Sequence, residues 1–209
     1  MILTPIDPAR LPDMLAVFAA ALPAQGPARA TFARIAATLK FCPGLKADLW
    51  AGQAKAVALA QRFGIPTRDE DPASSFSYDG SAIRTRSETS VVFHEIAHWQ
   101  IAAGARRAFA DFGLGAGPET GRATEADAAA CVDVATKEDE ENLASLLGIL
   151  WEVAHDEPAI LAFAEQNWLE LYDRPGTPAH FVRCLDALIA RGLVAADGTP
   201  VMPAAFAAA

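Results

Sequence analysis

Cysteine is scarce in this chain, which has three in 209 residues. Cys42, Cys131 and Cys184 are odd in number and widely spaced, and none belongs to a CxxC pair. This pattern excludes a disulfide framework and a zinc site built from cysteine pairs. We therefore expect three buried thiols in a reducing compartment.

Positive charge is also in short supply, because 17 Lys and Arg residues stand against 26 Asp and Glu residues, for a net charge of −9. A protein that binds the phosphate backbone of nucleic acid needs a clustered excess of Lys and Arg. The composition therefore excludes nucleic acid as a partner.

Long apolar runs are absent as well. No window reaches about 18 uninterrupted apolar residues, the length of an ordinary membrane span. The N-terminal segment lacks a basic leading region and carries Asp7 and Asp13, so it does not resemble a signal peptide. We expect a cytoplasmic protein without a membrane partner.

The hydrophobic content of 52% is enough for one substantial core, and Pro and Gly divide the chain into mostly helical blocks. The sequence predicts a mainly α fold with a minor β element. Helices are predicted at 9–22, 27–41, 46–63, 88–105, 137–155, 158–172 and 178–191, and one or two short strands around 74–78 and 81–84.

Three ionisable residues, His94, Glu95 and His98, lie within the apolar segment VVFHEIAHWQI. On a helix, residues four apart share a face, so the two imidazoles can converge on one ion. Glu95 is rotated from His94 by about 100° and stands beside that ion without binding it. In this HExxH arrangement the histidines hold a divalent metal and the glutamate accepts a proton. We predict His94 and His98 as metal ligands and Glu95 as the catalytic residue.

A third protein ligand is needed, because two imidazoles leave a divalent metal underligated. The acidic run 138–141 opens the long predicted helix, where acids ordinarily stabilise the helix dipole. Glu141 shares a helix face with small residues that permit close packing, whereas Glu140 shares a face with leucines. Glu141 is the favoured ligand and Glu140 is the alternative. The predicted fold thus packs a zincin-like HExxH helix against a glutamate-bearing helix.

Three further residues near these motifs have weaker functional interpretations. His155 lies about 21 Å from Glu141 along the predicted helix, so both cannot serve one ion, and His155 fits a C-terminal cap. Trp99 is expected to line the core or a pocket beside the metal. Arg106 is expected near the metal without binding it, and an arginine here could instead form a bidentate pair with Asp111 or Glu119.

The segment HEIAHWQIAAGARRAFADFG, residues 94–113, resembles the elongation factor P hydroxylase family. Members carry a HExxHW segment followed by an Ile-Ala pair, a double arginine and an Asp-Phe-Gly. The likeness continues more weakly to the acidic run, where the last glutamate of the family's Glu-Asp-x-Glu falls on Glu141. It covers roughly residues 68–190.

This resemblance implies a metal-dependent hydroxylase that acts on a modified lysine of a translation factor such as elongation factor P. Iron is the implied metal, and His94, His98 and Glu141 would form a facial triad with open positions for dioxygen and substrate. The family's aromatic run after Asp-Phe-Gly is replaced here by LGAGPET. We therefore expect a reshaped substrate mouth, and a different protein or a small-molecule amine is an alternative substrate.

Two other function classes compete with the hydroxylase. In a zinc metallopeptidase, Glu95 would deprotonate metal-bound water, and Tyr172 or His180 would stabilise the oxyanion. In a binding module the metal would be structural, but such zinc sites normally have four protein ligands. The sequence offers three, which favours an open, catalytic position. We predict one domain, with residues 1–65 as its N-terminal helical part, 66–192 as its catalytic core and 193–209 as a loosely ordered tail.

Overall fold

The structure is a computed structural model that describes residues 9–72, 76–117, 120–169 and 176–202. Its chain forms two compact units, one of residues 49–144 and one that combines residues up to 48 with 145–201. These units do not share the boundaries at residues 65 and 192 that the sequence analysis predicted. That division of the chain stays a prediction. No helix among the described residues is long and apolar enough to cross a membrane.

The predicted class is confirmed, since helices dominate and the described strands form one small sheet. The helices are α1 Leu11–Ala21, α2 Pro27–Ala37, α3 Gln53–Arg62, α4 Thr89–Ile101, α5 Ala123–Ala128, α6 Val134–Ala154, α7 Ala159–Glu165 and α8 Thr177–Ala190. The strands are β1 Thr67–Arg68 and β2 Ile83–Arg84, which pair in parallel with Thr67 opposite Ile83.

Strand β2 lies within the predicted 81–84, whereas β1 was not predicted. Two residues are too short to show the alternation that signals a strand. In the other predicted strand, Tyr78 makes only an isolated bridge to Ile83, and Ser74 lies outside the described residues.

Helix α4 is the central element of the first unit and packs against α3. Its apolar residues Val92, Phe93, Ile96 and Ala97 are completely buried, in agreement with its nearly continuous apolar sequence. The backbone before α4 is fixed by Gln53, whose amide donates to the carbonyl of Ser87 at 2.6 Å. The ligand-bearing helix is therefore held along its side and at its start.

The second unit has an aromatic core that joins its helices. Phe18 packs on Phe32 with ring centroids 4.7 Å apart, and Phe163 and Phe181 contact Phe18 edge-on. The predicted loose tail begins at 193, but Val194 and Pro200 pair in an antiparallel bridge. A side chain at position 198 would collide with α2, because a Cβ there would lie 2.0 Å from the Thr31 hydroxyl.

Several helix boundaries differ from the sequence prediction, and three of them have a visible structural context. Helix α3 begins at Gln53 rather than at 46. Helix α4 ends at Ile101 because Ala102 takes an extended conformation. Helix α6 begins before the acidic run, with the Asp133 side chain accepting from the Thr136 amide at 2.7 Å as an N-terminal cap.

Two sequence expectations are wrong, one about the acidic run 138–141 and one about Cys131. The acids at 138–141 lie beyond the first turn of α6, so they do not stabilise its N-terminal dipole. Cys42 and Cys184 are buried as expected, but Cys131 is exposed. Tyr172, Glu119 and residues 203–209 lie outside the described residues.

A buried ion pair ties β2 to the loop before it. The guanidinium of Arg84 lies 3.1 Å from the carboxylate of Asp79, and both side chains are mostly buried. Burial raises the pKa of Asp79, but hydrogen bonds from Ser81 and Ala82 and the charge of Arg84 outweigh it, so the pKa is lowered from 3.8. Asp79 is therefore an ionised anchor of this loop.

Replacing Asp79 by Asn should lower the free energy of unfolding by about 1–3 kcal/mol, because the buried Arg84 loses its better-buried carboxylate partner and keeps the more exposed Glu70. Since the folded pKa lies below 3.8, this contribution is present at neutral pH and disappears as pH falls through the folded value. Urea unfolding of both proteins between neutral and acid pH measures it. Asp69→Asn, in the exposed pair with Arg86, is the matched control and should change stability little.

Candidate metal centre

Three side chains of the first unit converge at one point, His94 and His98 from α4 and Glu141 from α6. The two imidazole Nε2 atoms lie 2.9 Å apart, and each lies 3.6 Å from Oε2 of Glu141. Among the described residues, this is the one group of three or more His, Cys, Asp or Glu side chains that could hold a metal ion. The helical spacing explains the histidine pair, and tertiary folding brings the carboxylate to it.

The separations of these atoms fit a shared metal ion. Metal–ligand distances of about 2.1 Å place neighbouring ligand atoms about 3.0 Å apart at a right angle and about 3.4 Å apart at a tetrahedral angle. The observed distances of 2.9 and 3.6 Å span this range. Two imidazoles and one carboxylate suit a first-row divalent metal. The three residues therefore fit a divalent cation, whose identity they do not fix.

The three ligand side chains differ in their exposure to solvent. His98 is 5% exposed, whereas His94 and Glu141 are 17% and 25% exposed. Parts of the His94 and Glu141 side chains therefore contact solvent, whereas His98 is enclosed.

The ionisation of the three groups favours bound positive charge. Burial and the neighbouring His98 lower the pKa of His94. Burial also opposes charge on His98, but the Glu141 carboxylate outweighs it and raises the pKa of His98. Burial raises the pKa of Glu141, yet the charge of His98 and the contacts with both imidazoles hold it far below its ordinary value. Glu141 is therefore anionic and able to ligate.

Glu140, the alternative ligand, points elsewhere. Its carboxylate receives two hydrogen bonds from a single nitrogen of Arg106, at 2.5 and 2.7 Å, and both side chains are largely buried. Neighbouring helical residues differ by about 100° in direction, so only one of the two glutamates can face the histidines. Arg106 thus pairs with Glu140 and not with Asp111, while Glu119, the other predicted partner, lies outside the described residues.

A stack of rings flanks His98. Phe112 lies against the His98 imidazole, with ring centroids 5.6 Å apart and planes 20° apart. Phe112 also stacks on Tyr78, with ring centroids 4.2 Å apart and nearly parallel planes. The segment that carries Phe112 is a left-handed turn, in which Asp111, Phe112 and Gly113 have φ values of 43°, 55° and 70°. The Asp-Phe-Gly therefore has a definite structural role at the metal site.

Gly113 is required at the end of this turn for two reasons. Its φ of 70° is costly for a residue with a side chain. A Cβ at this position would also lie 2.5 Å from Sγ of Cys131. The last residue of the Asp-Phe-Gly is thus fixed by backbone conformation and by space.

Two carboxylates lie near the triad without joining it. Glu95 is 8% exposed and close enough for its charge to act on His98 and Tyr78. Asp111 accepts a hydrogen bond from Thr120 at 2.6 Å, and burial raises its pKa. Glu95 therefore occupies the side position that the HExxH spacing predicts, and Asp111 is an additional acid.

The remaining candidates are not members of the converging group. Trp99 packs against Phe63 and lies under the guanidinium of Arg107, 3.7 Å from its ring centroid. His155 follows α6, where its Nδ1 lies 2.8 Å from the Trp151 carbonyl oxygen, as in a helix cap. His180 belongs to the second unit and stacks on Trp168.

Sequence reasoning missed Tyr78, Phe112 and Asp111 as parts of the site. Asp111 and Phe112 belong to the Asp-Phe-Gly of the resemblance, which was the available signal. Positive φ at two consecutive residues other than glycine is rare, so no local pattern predicts the turn. Tyr78 belongs to no sequence motif that could have identified it as part of the site.

The geometry predicts distinct effects for the two neighbouring glutamates. His94→Ala, His98→Ala and Glu141→Ala should each abolish one-to-one binding of Co²⁺ in an equilibrium titration, because each removes one of three ligands. Glu140→Ala should leave the ligand set complete and weaken binding by about tenfold, as is typical for a supporting contact. Stoichiometric binding by Glu141→Ala together with none by Glu140→Ala would reverse the assignment. Circular dichroism checks that each variant is folded.

Comparison with known proteins gives one family. A sequence model of the elongation factor P hydroxylase family matches residues 70–168, which include all three candidate ligands. The match ends earlier than the predicted resemblance to about residue 190. No curated protein and no solved structure shows significant similarity to the chain. The resemblance predicted from the sequence is thus confirmed, and residues 70–168 match the elongation factor P hydroxylase family.

Proposed function

We propose that the protein is a metal-dependent hydroxylase that acts on a lysine-type side chain of a translation factor such as elongation factor P, in the cytoplasm. The observation that carries this proposal is the convergence of His94, His98 and Glu141 in a segment that matches the hydroxylase family. Fe²⁺ is the favoured metal and Zn²⁺ the alternative. A facial set of two histidines and one carboxylate leaves iron the open positions needed to activate dioxygen beside a substrate.

The balance of the reaction defines its co-reactants. One oxygen atom of dioxygen enters a C–H bond of the substrate and the other leaves as water. This requires two electrons and two protons, so a reductant outside the chain takes part. The protein's own groups bind the metal, orient the side chain and move protons.

The charges around the site favour a cationic substrate. Glu95 and Asp111 place two carboxylates near the triad, and among the described residues no Lys or Arg forms an ion pair with Asp111. Arg106 and Arg107 are engaged by Glu140 and Trp99. An incoming ammonium group could approach the Asp111 carboxylate without displacing a described Lys or Arg from it. This supports a lysine-type substrate over an acidic one.

Glu95 is assigned to proton handling or to holding the substrate amine. It lies on α4 next to His94 but outside the group of converging ligands. A carboxylate in this position can exchange a proton with the reacting groups or accept a hydrogen bond from an ammonium. Either role needs the charge of Glu95 and not merely its volume.

The function is tested by loading the metal-free protein with Fe²⁺ under anaerobic conditions and then adding oxygen, ascorbate and lysine-modified elongation factor P. We expect oxygen uptake and a product heavier by one oxygen atom, measured by mass spectrometry of the intact factor. The same protein loaded with Zn²⁺ is the control and should do neither. Cleavage of casein by the zinc form, without oxygenation by the iron form, would instead establish a peptidase.

Replacing Glu95 by Gln should keep the metal and reduce turnover on the order of 10²-fold, because the amide preserves shape but cannot act as a base. The readouts are iron content per chain and the rate of product formation. Glu138→Gln, at an exposed position on α6, is the control and should match the wild type. Full activity of Glu95→Gln with normal metal content would show that Glu95 is a structural acid.

A further inference from the structure

His98 is the most deeply buried of the three candidate ligands, and, as in His94, its second ring nitrogen has no described hydrogen-bond partner. Metal-binding histidines generally donate the second ring N–H to a carboxylate, carbonyl or water. Among the described residues, Nδ1 of His98 is buried and has no hydrogen-bond partner. The face of the imidazole instead lies against Phe112, at 5.6 Å between centroids.

Ring orientation decides whether His98 can ligate. The torsion that rotates an imidazole has broad minima, so the side-chain rotamer alone does not fix Nε2. A rotation about this torsion would carry Nε2 of His98 away from Nε2 of His94 and from Glu141, now 2.9 and 3.6 Å distant. The ring of Phe112, if it is itself held in place, restricts this rotation of the His98 imidazole.

Three other contacts hold Phe112 in place. Tyr78 stacks on its ring, and the Tyr78 hydroxyl donates to the Arg107 carbonyl at 2.6 Å. The Asp111 amide donates to the Tyr78 carbonyl at 2.9 Å, which ties the two backbones together. Arg106 donates to the Phe112 carbonyl at 3.2 Å while it binds Glu140. The Phe112 side chain is thus restrained by its stacking partner Tyr78 and by hydrogen bonds to the backbone of its own turn.

The left-handed turn supports the same conclusion. Residues with side chains adopt positive φ at a cost of about 1 kcal/mol or more each, and such strain persists only where the surroundings enforce it. Here it occurs at Asp111 and Phe112, next to a glycine that the space also requires. The strained turn places the Phe112 ring in contact with both Tyr78 and His98.

We propose that Phe112, backed by Tyr78, is a positioning residue that sets the orientation of the His98 imidazole for metal binding through ring stacking. The inference rests on the metal centre of the proposed function but not on the reaction. It assigns to the Asp-Phe-Gly turn a role in metal affinity and in coordination geometry.

The test uses Co²⁺ as the probe, because its visible absorption reports coordination geometry independently of activity. Phe112→Leu should bind Co²⁺ about tenfold or more weakly than the wild type, as supporting contacts of metal ligands typically do. Its absorption bands should also change in position or intensity, because His98 no longer has a single orientation. Equilibrium titration of the full-length metal-free protein gives both quantities.

Phe63→Leu is the matched control, because Phe63 is as deeply buried in the same unit as Phe112 and packs on Trp99 rather than on a histidine. Both variants should lose stability in urea unfolding, but only Phe112→Leu should lose Co²⁺ affinity. Equal affinity and identical spectra in the two variants would overturn the proposal, because the stack would then contribute only to stability.

A second pair of variants decides the question if Phe112→Leu does not fold. Tyr78→Phe keeps the aromatic ring at position 78. Tyr78→Leu removes that ring and with it the stacking contact to Phe112. We expect Tyr78→Leu to bind Co²⁺ more weakly than Tyr78→Phe by about threefold or more, a smaller loss than for a direct contact. Equal affinities would overturn the proposal. A wild-type protein that binds no Co²⁺ would refute the metal centre itself, which is a distinguishable result.

Discussion

The arrangement of the first unit depends on holding three ionisable groups at one mostly buried point. His94, His98 and Glu141 would each resist burial alone, since charged and polar groups lose hydration there. Together they compensate one another, because the anionic Glu141 lies 3.6 Å from both imidazoles. The same balance makes the point attractive to a divalent cation. The surrounding structure keeps these groups from separating.

The segment between α4 and α5 supports both ligand-bearing helices. Arg106 binds Glu140, the residue before the Glu141 ligand, and so fixes the phase of α6. From the same segment Phe112 stacks on His98 of α4. Arg106 also donates to the Phe112 carbonyl, which connects the two supports. A short irregular loop therefore links the positions of two ligands on different helices.

The exposure of the ligand side chains and the charges near them both bear on the proposed chemistry. Two ligands are partly exposed, while His98 is almost completely covered. The nearby acids Glu95 and Asp111 would direct a cationic side chain toward these ligands. The match over residues 70–168 includes this whole site. Shape, charge and the family match thus all support the proposal of a modifying enzyme with a metal centre.

The sequence by itself determined the helical class and the pairing of His94 with His98, because both follow from spacing along one helix. It also favoured Glu141 over Glu140 through the small residues beside it. Only the tertiary structure showed that Glu140 pairs with Arg106 and that Phe112 and Tyr78 support His98. Such contacts join segments distant in the chain through a strained turn, and local periodicity carries no information about them.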